Sequence, residues 1–97
     1  MDPKLVDQLP SALASLGEPV TTPTNLGGLW PILDHLRKRG AVVVIKLDGE
    51  RVGDEAKPFT VVVSGGPLND DYVTTEAATA EDAIGVAIIR CGDALRS

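Results

Sequence analysis

Ala41-Val42-Val43-Val44-Ile45-Lys46-Leu47 is the stretch on which the fold turns. It is almost wholly apolar, rich in β-branched side chains, and comes directly after a helix-stopping glycine, Gly40. β-Branched residues fit the pleated surface of a sheet, so the stretch reads as a strand. Apolar residues at odd and even positions alike mean that both of its faces want cover. Two arrangements supply that: a central strand buried on both sides, or a strand with helices on one side and a partner on the other.

Working outward from this strand, Asp48-Gly49 is a turn pair, but the residues after it are mostly polar. The pair either opens a hairpin with a frayed strand or begins an acidic loop over Asp48–Lys57, and the loop is the expectation. Phe59-Thr60-Val61-Val62-Val63 is the second strand. Pro58 precedes it where no ladder hydrogen bond is lost. Ser64-Gly65-Gly66-Pro67 ends that strand, Asn69-Asp70-Asp71 continues the turn, and Tyr72-Val73-Thr74-Thr75 is a third, shorter strand.

Helices flank the three strands. Asp2-Pro3 is a helix start, with Asp as N-cap and Pro at the first helical position. Leu5, Leu9, Leu13 and Leu16 then form one apolar stripe, closed by Gly17. Pro10 within it predicts a kink or two shorter pieces. Pro19 and Pro23 mark Glu18–Thr24 as an extended connector. A second helix is expected over Leu29–Arg39, capped by Thr24 or Asn25, provided Pro31 falls in its first turn. Leu29, Leu33 and Leu36 share its inner face, and Arg37, Lys38 and Arg39 suit the negative end of its dipole. The last helix begins at Thr79, with Asp82 at the capping-box position. It carries Ile84, Ile88, Cys91 and Leu95 on one stripe, widened by Ala83, Ala87 and Ala94. Gly85 and Gly92 each cost this helix about 1 kcal/mol relative to Ala, and close packing against the sheet would explain them.

The expected fold is therefore α+β in the order α-α-β-β-β-α: a three-stranded antiparallel β-meander with helices packed on one sheet face. The 97 residues form a single domain over 1–97, with an N-terminal helix and connector over 1–24 and a compact core over 25–97.

Within it, the α-β-β-β-α order of residues 29–96 resembles the double-stranded RNA-binding fold in its sequence of elements. That resemblance implies phosphate-gripping lysines at the start of the last helix. Here the matching positions read Thr79-Ala80-Glu81-Asp82, which is acidic, so the family's binding chemistry does not carry over.

Charge points the same way. The formal net charge is −5, and the stretch Leu47–Asp82 holds nine acids against two bases, a local balance of −7. His35–Lys46 holds four bases and no acid. A net-acidic chain is repelled by phosphate backbones and anionic bilayers, so neither nucleic acid nor membrane is an expected partner. With only Trp30, Phe59 and Tyr72 as aromatics, stacking on bases or sugars has little to work with. A lone cysteine, no secretory leader pattern and no apolar run of membrane-spanning length fit a cytoplasmic protein. Few Lys and Asn beside much Ala, Val, Gly and Asp suit a GC-rich bacterial or phage genome.

No catalytic or cofactor constellation assembles from the sequence, and no cofactor or metal is expected. Ser64-Gly65-Gly66-Pro67 lacks the lysine and following helix of a phosphate-binding loop. Asp48-Gly49-Glu50-Arg51-Val52-Gly53-Asp54 lacks the ligand spacing of a calcium loop. His35 reads as an exposed helix residue, and Cys91 as a small buried hydrophobe. What remains is the acidic surface: Asp48, Glu50, Asp54 and Glu55 on one loop, with Asp70 and Asp71 on another. Trp30, off the leucine stripe, either anchors an interface or fills the gap between helix and sheet. The functional expectation is a non-enzymatic protein-binding module for a partner with a basic surface. Inhibitors, immunity proteins and antitoxin-type partners, phage inhibitors of host defence among them, work in this way. The alternatives are a self-associating domain that dimerises through an uncovered sheet face, or a small ligand-binding or enzyme domain. The last would have a pocket between the second helix and the Ser64–Asp71 loop, beside His35 or Tyr72.

Overall fold

A computed structural model describes residues Met1–Arg96; Ser97, the last residue of the expected domain, lies outside them. The elements are α1 (Pro3–Leu16), α2 (Leu26–Lys38), β1 (Ala41–Leu47), β2 (Phe59–Gly65), β3 (Tyr72–Ala77) and α3 (Ala80–Arg96), with a 3₁₀ turn over Gly66–Leu68. This is the α-α-β-β-β-α order of the sequence reading, built on one antiparallel sheet.

The sheet order is β1-β2-β3, so β2 is central and β1 is an edge. That overturns the reading of β1 as a strand buried on both faces. Register places Ala41 opposite Gly65 and Leu47 opposite Phe59, while Ser64 faces Tyr72 and Phe59 faces Ala77. Val61, Val63, Val73 and Thr75 point inward and are buried. The alternate residues form the outer face, in the rows Val42–Ser64–Tyr72, Val44–Val62–Thr74 and Lys46–Thr60–Glu76. The helices lie on the inner side: α3 against β2 and β3, α2 against β1, and α1 chiefly against α3.

Local signals explain the helices. Asp2 caps α1 by accepting the Lys4 N–H at 2.9 Å. Gly17, at φ +73°, ends it in a Schellman turn, with the Glu18 N–H on the Leu13 carbonyl. Pro10 does not divide α1, which runs unbroken from Pro3 to Leu16. The lost hydrogen bond to the Val6 carbonyl is offset by burial of Leu9, Leu13 and Leu16 on the opposite stripe. Asn25 caps α2 through the Gly28 N–H at 3.0 Å, so the helix starts three residues earlier than expected and Pro31 falls in its second turn. The carbonyl that Pro31 cannot serve belongs to Gly27, which is exposed to solvent and so is not left in the core without a donor. Thr79 caps α3 through the Asp82 N–H at 3.2 Å. Asp82 does not close the capping box: its carboxylate accepts the Asp2 N–H at 2.8 Å, which sets the two helix starts side by side.

Gly85 and Gly92 are packed against α1, and not against the sheet. A Cβ on Gly92 would lie 2.7 Å from the Ala12 Cα and 2.9 Å from the Ala12 carbonyl oxygen. One on Gly85 would meet the Met1 sulfur at 3.0 Å and Leu5 beyond it. Seven residues separate each member of both pairs, so α1 and α3 run parallel with their backbones in close approach. Thr75, the one buried polar residue of the core among the described residues, donates its hydroxyl to the Ala83 carbonyl at 2.8 Å and ties β3 to α3. Leu95, placed on the apolar stripe by its spacing, is 39% exposed because the last turn runs past the core.

Candidate functional site

The β1–β2 connection is a loop without strand structure over residues 48–58, as expected. Its first turn is built by Asp48, whose carboxylate accepts the Glu50 N–H at 3.0 Å, while the Asp48 N–H extends the ladder to the Pro58 carbonyl at 2.8 Å. Arg51 pins the loop to the sheet. Its Nε lies 3.3 Å from Asp48, and its Nη1 lies 3.2 Å from Glu76 and donates to the Lys57 carbonyl at 3.0 Å. Lys46 adds a second, weaker contact to Asp48 at 3.8 Å. Asp48 is therefore a structural carboxylate, largely neutralised where it sits.

Glu50, Asp54 and Glu55 differ from it. All three are exposed, and none joins an ion pair among the described residues. Glu76, Glu81 and Asp82 belong to the same end of the sheet, since β3 finishes and α3 begins there. Two aliphatic side chains stand among these acids: Leu47 is 70% exposed and Val52 is 82% exposed. Sequence reasoning passed over both, because a lone Val in a polar loop carries no periodic signal.

Asp70 and Asp71 do not join this group. They follow the 3₁₀ turn at the other end of the sheet, a full strand length or roughly 20 Å away. Asp71 is used locally, accepting the Tyr72 N–H at 2.8 Å. The acidic surplus read from Leu47–Asp82 is thus divided between two ends, and the end that carries the 48–58 loop with Glu76, Glu81 and Asp82 holds its larger share.

Trp30 is 62% exposed and fills no gap between helix and sheet. It borders a groove of about 160 Å³ along the free edge of β1, lined by Trp30, Leu33, Asp34, Arg37, Val43 and Ile45. Arg37 holds Asp34 at 2.8 Å, and Lys38 adds a contact at 3.4 Å. The hydrogen bond from Arg37 keeps the Asp34 carboxyl below the usual carboxylate range.

A second hollow, about 290 Å³, is formed by the 18–23 connector and α2, with His35, Ile32 and Pro31 on the helix side. No residue of the Ser64–Asp71 loop lines it. His35 is exposed as expected, but its Nδ1 lies 3.2 Å from Glu18, a residue the sequence reading left in a connector. The Glu18 side chain is only 6% exposed, because Arg39 holds its other oxygen at 3.1 Å. Arg39 also donates to the Leu16 carbonyl at 2.6 Å, so this cluster fastens the end of α1 to the end of α2. Cys91 is buried as expected, and burial pushes its thiol up to about 11. Among the described residues, no helix is long and apolar enough to cross a membrane.

No protein-family model, curated protein or solved structure matches this chain.

Proposed function

We propose that this chain is a non-enzymatic protein-binding module that docks its β1–β2 loop onto a basic surface of another protein. One observation carries the reading: Val52 and Leu47 project almost fully into solvent among the unpaired carboxylates of Glu50, Asp54 and Glu55. Isolated exposed aliphatics are ordinary, but here Val52 stands on a loop that Arg51 holds in place, and Leu47 ends the strand that leads into it. An apolar centre with a charged rim is the composition of a transient interface. The carboxylates steer a basic partner and select against acidic ones, while the aliphatic contacts supply the desolvated centre. Inhibitors, immunity proteins and antitoxins occupy basic sites through this chemistry, and the role proposed here is of that type.

The test separates the working acids from the structural one. Glu50→Lys, Asp54→Lys and Glu55→Lys are combined, Asp48 and Arg51 are kept, and the variant is compared with the unaltered chain as bait in an extract of its native host. Proteins captured in a salt-sensitive manner should be lost from the variant, with affinity for any purified partner falling roughly tenfold or more. Equal capture by both baits overturns the loop as the docking site.

A further inference from the structure

Independently of the loop, we infer that two copies of this chain pair through the free edge of β1, forming a six-stranded sheet about a two-fold axis at Val44. An edge strand presents a row of backbone donors and acceptors that readily pairs with another strand, and proteins usually blunt such edges with charge, proline or a bulge. β1 has none of these over Ala41–Ile45, and its only charge, Lys46, stands near one end. The outer side chains at this edge, Val42 and Val44, are 59% and 52% exposed.

A second copy is the occupant that suits the groove, because a two-fold axis sets its apolar β1 wall against the same wall of the other copy. The wall from β1 is Val43 and Ile45, with Val44 between them. The wall from α2 is Trp30, Leu33, Asp34 and Arg37, with its midpoint between Leu33 and Asp34. A two-fold axis at Val44 sets the β1 wall against itself and brings the two α2 helices together antiparallel across the join. Antiparallel pairing about it sets Val44 against Val44 of the second copy, Val43 against Ile45, Ala41 against Leu47 and Val42 against Lys46. Apolar thus meets apolar along the inner side. Paired strands lie about 4.8 Å apart, so the two α2 helices covering them come within packing reach. Trp30 of each copy then faces Arg37 of the other, a cation–π pair formed twice by the symmetry.

Charge permits this meeting. Copies with a net charge of −5 repel one another in general, but the surplus lies on the loops at the two ends of the sheet. The β1–α2 flank carries Arg37, Lys38 and Lys46, and its acid Asp34 is already paired with the first two.

Sedimentation equilibrium at tens of micromolar, followed with the emission of the sole tryptophan, tests the inference. The unaltered chain should sediment at twice its 10.1 kDa mass. Its Trp30 emission should move to the red on dilution, in step with the loss of the dimer. Val44→Lys sets two like charges together on the axis and should give a monomer with an unchanged circular dichroism spectrum. Trp30→Ala, on the surface of α2, gives a second route to the same loss should the strand variant fold poorly. A monomer at all concentrations, or a dimer untouched by both variants, overturns the pairing. Neither result bears on the loop variant above, whose residues lie outside the paired edge.

Discussion

The two flanks of this small sheet bury their apolar surface in opposite ways. Over β2 and β3, α3 covers the sheet and α1 closes on α3, with the Gly92 and Ala12 backbones in contact. Beside β1, α2 covers the inner face only in part: Val43 and Ile45 are half-buried, and Trp30 remains in solvent. Both flanks are apolar in sequence. What separates them is whether the chain itself supplies a second layer, and on the β1 side it does not. The α1–α3 seam is therefore closed, and the outer side of α2 beside β1 is open to contact with other molecules.

The contrast can be broken most severely within α2, which takes part in both environments. Leu36→Ala removes a side chain with no exposure and should destabilise the fold by about 2–5 kcal/mol. Trp30→Ala removes a larger side chain, yet should change stability by less than about 0.5 kcal/mol when measured by denaturant titration below the concentration of self-association. A large loss for Trp30→Ala would place it in the core and remove the contrast.

The seam itself offers a second pair of variants. Gly92→Ala forces a methyl into the Ala12 backbone, which cannot retreat, and should cost about 1–3 kcal/mol despite the better helix propensity. Gly85→Ala meets only the flexible end of Met1, so it should be neutral or stabilising by up to about 1 kcal/mol. Equal effects at the two positions would show that helix propensity, and not backbone approach, governs the seam.

A smaller effect is expected from Cys91, on the buried side of α3. Its thiol ionises in the unfolded chain near 9.0 but only near about 11 in the folded one. The folded state thus holds the proton more tightly: the contribution is intact below pH 9 and is lost as pH rises towards 11. Thermal melting followed across that window should show a decline that Cys91→Ala lessens. Alkylation of the native protein at pH 8 should be slow compared with the unfolded chain.

Much of this architecture was legible in the sequence because it rests on periodicity and short-range chemistry. The leucine spacing of α1, the Asp2-Pro3 start and the Gly17 stop depend on neighbours within five residues, and all hold. So does the meander, whose strands are joined in chain order. The place of β1 in the sheet was not legible, since an apolar run on both faces is equally compatible with a covered centre and with an open edge. Pro10 and Pro31 misled for a related reason: a proline reports the bond it removes, while the burial that outweighs that loss comes from tertiary contacts. The candidate site was read in part. Glu50, Asp54 and Glu55 are exposed on one loop, but Arg51 absorbs Asp48, and the sheet's length separates Asp70 and Asp71 from the rest. Glu18 could be found only from its distant partners His35 and Arg39, which no local pattern connects.

Amide hydrogen exchange along Ala41–Leu47, followed as the protein is concentrated, addresses the open flank most directly. Those β1 amides that point away from β2 should exchange freely in dilute solution and slow markedly at high concentration, while amides of β2 and α3 remain protected throughout. Exchange at β1 that is already slow in dilute solution, or that stays fast at every concentration, would contradict an edge left free to pair.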